Sequence, residues 1–266
     1  MHSPKDVAAE LAFQATQAAQ VQVRATPPDI IERYRHCRRW WLYRKEYVFK
    51  LIHDCRPRRI LDFGCGSGDS ATELAVLGYD VLGIDVSPEL IALAEERARL
   101  DGVVERAKFL AVDGTTATLP KAAFDLVLVQ AVLHHVDLAE SLRTLDHVLS
   151  PGGFLIIVEP VAYSRTLQWL RDRSPVEKDI SPNERQLNKG DIREIAGRFE
   201  IVRQRHFGIL QRVLRLMKTP GTFYNWTART LAVVDFLVLC IPGMSHLAAT
   251  VVLLCRKPEA KAQAAP

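Results

Sequence analysis

The chain has 266 residues, 48% of them hydrophobic and 25% charged, with a net charge of +4. That length and apolar content support one sizeable core, a single domain with additions, and the mild basicity does not by itself mark a nucleic-acid binder. The five cysteines (Cys37, Cys55, Cys65, Cys240, Cys255) are odd in number and scattered, with no C-x-x-C pair, which speaks against a disulfide framework or a zinc site and fits a reducing cytoplasm.

The first twenty residues lack the apolar core of a signal peptide, and Asp6 and Glu10 speak against a transit peptide. Residues 1–30 read as an Ala/Gln-rich helical arm that ends at Pro27-Pro28. Glu32 to His53 reads as a second helix, stopped by Pro57, with Cys37, Trp40, Trp41, Val48, Leu51 and Ile52 on one face. Residues 1–56 are thus expected to form an N-terminal helical arm or cap. Within it, "ERYRHCRRWWLYRKEY" interleaves six basic residues with aromatics. Contact with nucleic acid or anionic lipid is one reading. Helical spacing favours another, in which Trp40 and Trp41 pack on the core while Arg35, Arg39 and Lys50 form a solvated face.

From residue 57 strands and helices alternate. "RILDF" is a buried strand, Asp69–Leu77 a helix, and "DVLGID" a strand. Ser87 caps a helix that starts at Pro88 and runs to about Leu100. "KFLAV" and "FDLVLV" follow as strands, then a helix over Leu138–Leu149 closed by "SPGG", then the strand "FLIIV". This alternation predicts an α/β fold, a parallel sheet with helices on both faces. Val161–Lys189 is polar and reads as a connecting lid. Asp191 with Glu194 suggests a capped helix leading to the strand "FEIVRQRHF". Gly208–His246 reads as largely helical, "AATVVLLC" as a last strand, and 257–266 as a disordered tail. The two segments 161–190 and 208–246 are expected to be helical lid insertions within a domain spanning 57–256. No uncharged apolar run reaches the roughly 18 residues of a membrane span, and Leu231–Met244 is broken by Asp235, Pro242 and Gly243; a soluble, cytoplasmic protein is expected.

The chemistry is concentrated in "ILDFGCGSGDS" (Ile60–Ser70), a glycine turn between a strand and a helix. In an open parallel sheet, ligands sit beyond the carboxyl ends of the strands, where the strand order reverses. A dinucleotide fingerprint fails from Gly64, because Asp69 stands where Gly or Ala belongs, but passes from Gly66 through Gly68 and Ala71, so an NAD-dependent oxidoreductase stays open. Asp62 and Asp69 beside the loop disfavour a pyrophosphate and suit a ligand bearing an ammonium group. Asp85, about 20 residues on, stands where an acid accepts ribose hydroxyls. Asp113-Gly114 offers a further acceptor and a flexible backbone.

"LDFGCGSGDSATELAVLGYDVLGIDVSPELIALAEERA", "FLAVDGTTATLP", "FDLVLVQAVLHHV" and "LSPGGFLIIVEP" resemble, in order, the motifs of class I S-adenosylmethionine-dependent methyltransferases, with the ubiquinone and menaquinone small-molecule branch nearest in pattern. The resemblance covers about 57–160. It implies a three-layer Rossmann-like sandwich, a seven-stranded, mostly parallel sheet whose last strand is antiparallel, and S-adenosyl-L-methionine as cofactor. It further implies that Asp62, Gly64, Gly66 and Gly68 surround the methionine moiety, that Asp85 holds the ribose, and that Val86 packs on the adenine. Asp113 would accept from the adenine amino group beside Gly114, and Gln130 would lie near the methyl donor. The family's N-terminal helix often covers the cofactor, so Tyr34 or Arg38 would reach its carboxylate.

Methyl transfer needs alignment more than a base. His135, and then His134, are the base candidates for a hydroxyl acceptor; as a metal pair, adjacent histidines diverge on a helix, and no metal is expected. Glu159 reads as a cap of the next turn more than a substrate contact. Trp169, Phe223, Tyr224 and Trp226 could wall a pocket for a flat or lipid-like acceptor. The expectation is therefore methyl transfer to a small, apolar or aromatic metabolite, with O-methylation favoured. A catalytically silent cofactor-binding protein of the same fold is the reading from another class. An RNA methyltransferase ranks low, because "QAVLHH" stands where a base-flipping enzyme carries an Asn/Asp-Pro-Pro-Tyr motif. Exposure of Leu231–Ile241 would give peripheral membrane or lipid contact, or a homodimer.

Overall fold

The computed structural model describes residues 16, 18, 19, 21–115, 118–163, 186–210, 214 and 222–259. Most of the expected N-terminal arm, the lid segment 164–185 with Trp169, the side chain of Phe223 and the tail from residue 260 lie outside the described residues.

The elements run α1 (Pro28–His36), α2 (Arg44–Cys55), β1 (Arg59–Phe63), α3 (Asp69–Val76), β2 (Asp80–Asp85), α4 (Pro88–Leu100), β3 (Ala107–Ala111) and β4 (Phe124–Gln130). They continue with α5 (Leu138–Val148), β5 (Leu149–Pro160), α6 (Lys189–Arg198), β6 (Glu200–Phe207), α7 (Thr222–Leu239), a short 3-10 turn (Met244–Leu247) and β7 (Thr250–Arg256). The seven strands form one sheet in the order β3-β2-β1-β4-β5-β7-β6. Neighbours are parallel from β3 to β5, and β7 is antiparallel to both β5 and β6. The seven-stranded α/β sandwich with an antiparallel last strand is thus present.

Two cores sandwich the sheet. Ile60, Leu126, Leu128, Ile156, Val158, Val252 and Leu254 face the side covered by α1 to α4. Leu61, Phe63, Val127, Val129, Leu155, Ile157 and Leu253 face α5 and α6. Central strands buried on both faces have to be continuous apolar runs, which is why "LVLV" and "LIIV" were readable as strands. The odd-even alternation also sets direction at the strand ends: Asp62 and Gln130 share a face with Ile60 and Leu128, toward α2 and α3.

Five expectations change in detail. The single helix over Glu32–His53 is two helices, because Cys37 takes a left-handed conformation (φ 45°) and ends α1. The buried Glu46 then holds the corner, accepting from Arg33 Nε (2.6 Å) and from the Arg39 backbone N–H (2.7 Å). Pro28 starts α1 at its first turn instead of ending an arm, which suits proline's missing N–H. "SPGG" does not close a turn before β5 but is absorbed into it as a bulge: Phe124 pairs with Leu149, and Leu126 already with Phe154. The cap of α6 is Asn188, with Asp191 completing a reciprocal capping box, one turn earlier than the Asp191–Glu194 reading. Trp41 lies half-open on the surface, edge-on to Phe236 at 5.2 Å, so only part of the expected apolar face of the N-terminal region is core.

Candidate active site

The strand order reverses between β1 and β4, and the glycine turn after β1 lies at that crevice. Gly64, Gly66 and Gly68 all have positive φ (75°, 53° and 76°), conformations that residues with a Cβ rarely take. At Gly68 a Cβ would stand 2.6 Å from Ala94 Cβ, so this glycine lets α3 and α4 pack closely. At Gly66 a Cβ would meet nothing within 4 Å; this is the face of the turn that a ligand can approach.

The carboxylates are arranged around that opening. Asp85, at the end of β2, accepts from the Gly66 N–H at 2.8 Å and from the Ser87 N–H at 3.0 Å, so it pins the turn while its remaining lone pairs stay available. Asp62 is buried below, and no donor among the described residues bonds to its carboxylate. Burial, followed by the nearby Asp85 charge, pushes its pKa up to about 7. Such a group gains most from an incoming cation, which fits the ammonium of an amino-acid tail. Asp69 plays a different part from the one its position suggested. Its carboxylate pairs with Arg97 at 3.1 Å, and Arg97 Nε also donates to the Ser67 carbonyl, so it fastens the loop to α4.

The other expected residues fall around the same edge. Val86, next to Asp85, presents exposed apolar surface. Asp113 Oδ1 accepts from the Thr115 N–H (2.8 Å) and hydroxyl (2.6 Å), closing its own turn. Gly114 is required by sterics, because a Cβ would stand 2.5 Å from the Phe63 ring. Gln130 donates to Ser70 Oγ at 2.9 Å, tying β4 to α3. Tyr34 is buried and stacked on Phe49 at 4.4 Å. Burial first, and then the Glu73 carboxylate, push its pKa up to about 12.

Sequence reading missed a pair here: Lys45 Nζ reaches Glu73 at 2.7 Å, joining α2 to the helix that follows the glycine turn. The signals were present in Glu73, one turn after Asp69, and in the basic run around Lys45, but neither says which helices meet. Arg38 is exposed, and Lys45 is the cation of this helical region that bears on Asp62. Cys65 sits inside the loop, yet burial raises its thiol pKa, so it is not a thiolate nucleophile.

Beyond β4 the histidines take distinct places. Glu159 is fully buried near the end of β5 and accepts from the Val132 and Leu133 N–H groups (2.7 and 2.8 Å) and from His134 Nδ1 (2.6 Å). It therefore organises the loop after β4 instead of capping the turn that follows it. The carboxylate can only accept, so His134 carries its proton on Nδ1. His135 is half-buried against it, with ring centroids 4.0 Å apart. Among the described residues no cluster of metal-binding side chains occurs. Tyr224 is half-buried and Trp226 is exposed on α7.

Residues 61–157 match the family model of a methyltransferase domain. Ajmaline N-methyltransferase from Rauvolfia serpentina is 32% identical over 135 residues, covering 50% of this chain and 43% of that protein. Ubiquinone biosynthesis O-methyltransferase from Paraburkholderia phymatum is 31% identical over 132 residues, covering 44% of this chain and 56% of that one. The chain thus spans about half the length of the curated relatives it matches. Among solved structures, a SAM-dependent methyltransferase from Methanosarcina mazei superposes with a TM-score of 0.57 at 22% identity, over 79% of this chain and 98% of that one; this likeness concerns the fold. Residues 61–157 are thus a match to a methyltransferase domain, and with the glycine turn and the acids of β1 and β2 in that fold the chain is similar to the class I S-adenosylmethionine-dependent methyltransferases.

Proposed function

We propose that this protein transfers a methyl group from S-adenosylmethionine to a hydroxyl of a small apolar or aromatic molecule. The observation that carries the cofactor assignment is the buried Asp62 carboxylate beneath a glycine turn that is open at Gly66 and pinned by Asp85. In this reading Asp62 and the Gly64–Gly68 turn hold the amino-acid end, Asp85 the ribose, Val86 and Asp113-Gly114 the adenine, and Gln130 the region of the sulfonium. Tyr34 and Lys45 of α1 and α2 close the amino-acid end as a helical cap. The cofactor supplies an electrophilic methyl group, and the chain's work is to align the acceptor with it and exclude water.

For a hydroxyl acceptor, the base is the histidine that a buried carboxylate orients. Glu159 accepts from His134 Nδ1 and so fixes the ring's orientation, the way a buried carboxylate orients histidine bases in general. His135 packs beside it as the second candidate. The match to both an N- and an O-methyltransferase makes the acceptor atom a direct experimental question. Transfer of a labelled methyl group from S-adenosylmethionine to a panel of phenols, alcohols and amines tests it. Labelled phenols or alcohols are expected, with His134→Asn lowering kcat by about 100-fold or more and His135→Asn by less. Labelled amines alone would overturn the O-methylation reading.

The exposed side chains Trp226, Val234, Leu237 and Ile241 lie along one stripe of α7 and the turn after it. We assign this stripe to peripheral contact with a lipid surface. Co-sedimentation with anionic vesicles, lost in Trp226→Ser/Leu237→Ser, is the expected result; a concentration-dependent dimer without vesicle binding would assign the stripe to a second copy instead. No described helix is long and apolar enough to cross a membrane.

A further inference from the structure

Arg44, the first residue of α2, lies apart from the cofactor residues. Its guanidinium Nη1 donates to Thr250 Oγ1 at 3.3 Å. Among the described residues no carboxylate lies within ion-pair distance of it, whereas its neighbour Lys45 is engaged by Glu73. The residue is exposed to solvent, yet burial of the guanidinium lowers its pKa, with no charged neighbour contributing. Arg44 thus presents an uncompensated charge at the surface beside the Thr250 hydroxyl.

The sheet register says where on the sheet this cation stands. Thr250 opposes Pro160, the carboxyl end of β5, and Phe207, the end of β6. Two residues on, Val252 packs in the core under α2, so Thr250 and Gln130 lie on the same face of the sheet and at the same edge. From Gln130, which opposes Val158, Thr250 is two strand spacings and about two residues away, on the order of 12 Å. That direction leads away from Asp62 and Asp85, past the place assigned to the sulfonium.

We propose that Arg44 and Thr250 form an anion subsite in the acceptor cleft, so that the methyl acceptor is an apolar body with a carboxylate on the order of 10 Å from the methylated atom. One arginine and one hydroxyl, with the next lysine already paired, match a single charge bound by the guanidinium fork. They match a diphosphate less well. The inference rests on the methyltransferase reading only for calling the bound molecule an acceptor.

Calorimetric titration of the S-adenosylhomocysteine-loaded protein with phenylacetate, 4-phenylbutyrate and 6-phenylhexanoate, each against its neutral amide, tests it. The expected result is that at least one carboxylate binds about tenfold or more tightly than its amide. Arg44→Gln removes that preference while its melting temperature and S-adenosylhomocysteine affinity stay near wild type, and Arg44→Lys keeps part of it. Equal binding of carboxylates and amides, no binding of any of them, or a preference that survives in Arg44→Gln would overturn the proposal. Failure of S-adenosylhomocysteine to bind, with the carboxylate preference intact on the unloaded protein, would instead sink the methyltransferase reading and leave the anion subsite standing.

Discussion

Asp62 shows how one side chain couples stability to ligand binding. Its folded-state pKa of about 7 lies above the ordinary value of 3.8, so between those two values the native protein holds a proton that the unfolded chain has released. The ligand-free protein should therefore lose stability as pH rises from about 4 to 7, with no further loss above it. Asp62→Asn is expected to flatten that part of a melting-temperature profile, raise the melting temperature at pH 8, and weaken S-adenosylhomocysteine binding by about tenfold or more. An unchanged profile in the variant would show that Asp62 does not titrate there. Asp85 behaves oppositely in design, since both its oxygens already accept backbone N–H groups. Asp85→Ala should weaken the same ligand by about tenfold or more and also loosen the Gly66 turn, which hydrogen exchange of the Gly66 amide would report. Asp62 and Asp85 could be located from the sequence because each stands at or next to the end of a strand whose apolar run is unmistakable. The pairing of Asp69 with Arg97 was not legible, because a carboxylate's partner on another helix leaves no mark at short range in the chain.

At the scale of elements, what was readable was whatever repeats locally. The strands β1, β2 and β4 and the Ser87-Pro88 helix start follow from apolar runs and capping chemistry, and Ser87 Oγ does accept from the Leu90 N–H. The break between α1 and α2 was not readable, since apolar periodicity continues across it through Cys37, Trp40 and Trp41. Its cause is tertiary: Glu46, from the second helix, satisfies Arg33 and the Arg39 N–H of the corner. Glu46→Ala leaves both without their acceptor and is expected to lower the melting temperature by about 4–10 °C, whereas a surface change such as Glu32→Ala should leave it within a degree or two. Equal effects would remove Glu46 from its place as the corner's anchor. The histidine loop follows the same pattern, legible as "LHH" but not as a loop hung on Glu159, 25 residues further on.

Across the whole molecule, one edge of the sheet gathers the chemistry. The carboxyl ends of β1, β2 and β4 bring together Asp62, Asp85 and Gln130, and the ends of β5 and β7 add Glu159 and Thr250. The antiparallel β7 between β5 and β6 sets this sheet apart from the all-parallel order of dinucleotide-binding folds, which is the structural argument against the NAD reading of Gly66, Gly68 and Ala71. α7 is held against the sheet's outer strand by Arg205. Its guanidinium lies about 5 Å from the rings of Trp40, Tyr47 and Phe207 and 5.5 Å from Phe236, and donates to the Trp41 carbonyl at 2.7 Å. Arg205→Ala is expected to speed hydrogen exchange in α7 and around Trp41 by about tenfold while leaving the central strands unchanged; uniform acceleration would mean that the clamp stabilises the whole fold. Nothing in "FEIVRQRHF" announced this clamp, since it depends on which rings converge from three other elements.

The measurement that bears most directly on the central claim is calorimetric titration of the protein with S-adenosylhomocysteine, run at pH 6 and pH 8 beside NAD. Saturable binding of S-adenosylhomocysteine alone is expected, tighter at pH 8, where Asp62 is ionised before the ammonium arrives. Binding of NAD in its place, or of neither ligand, would contradict it.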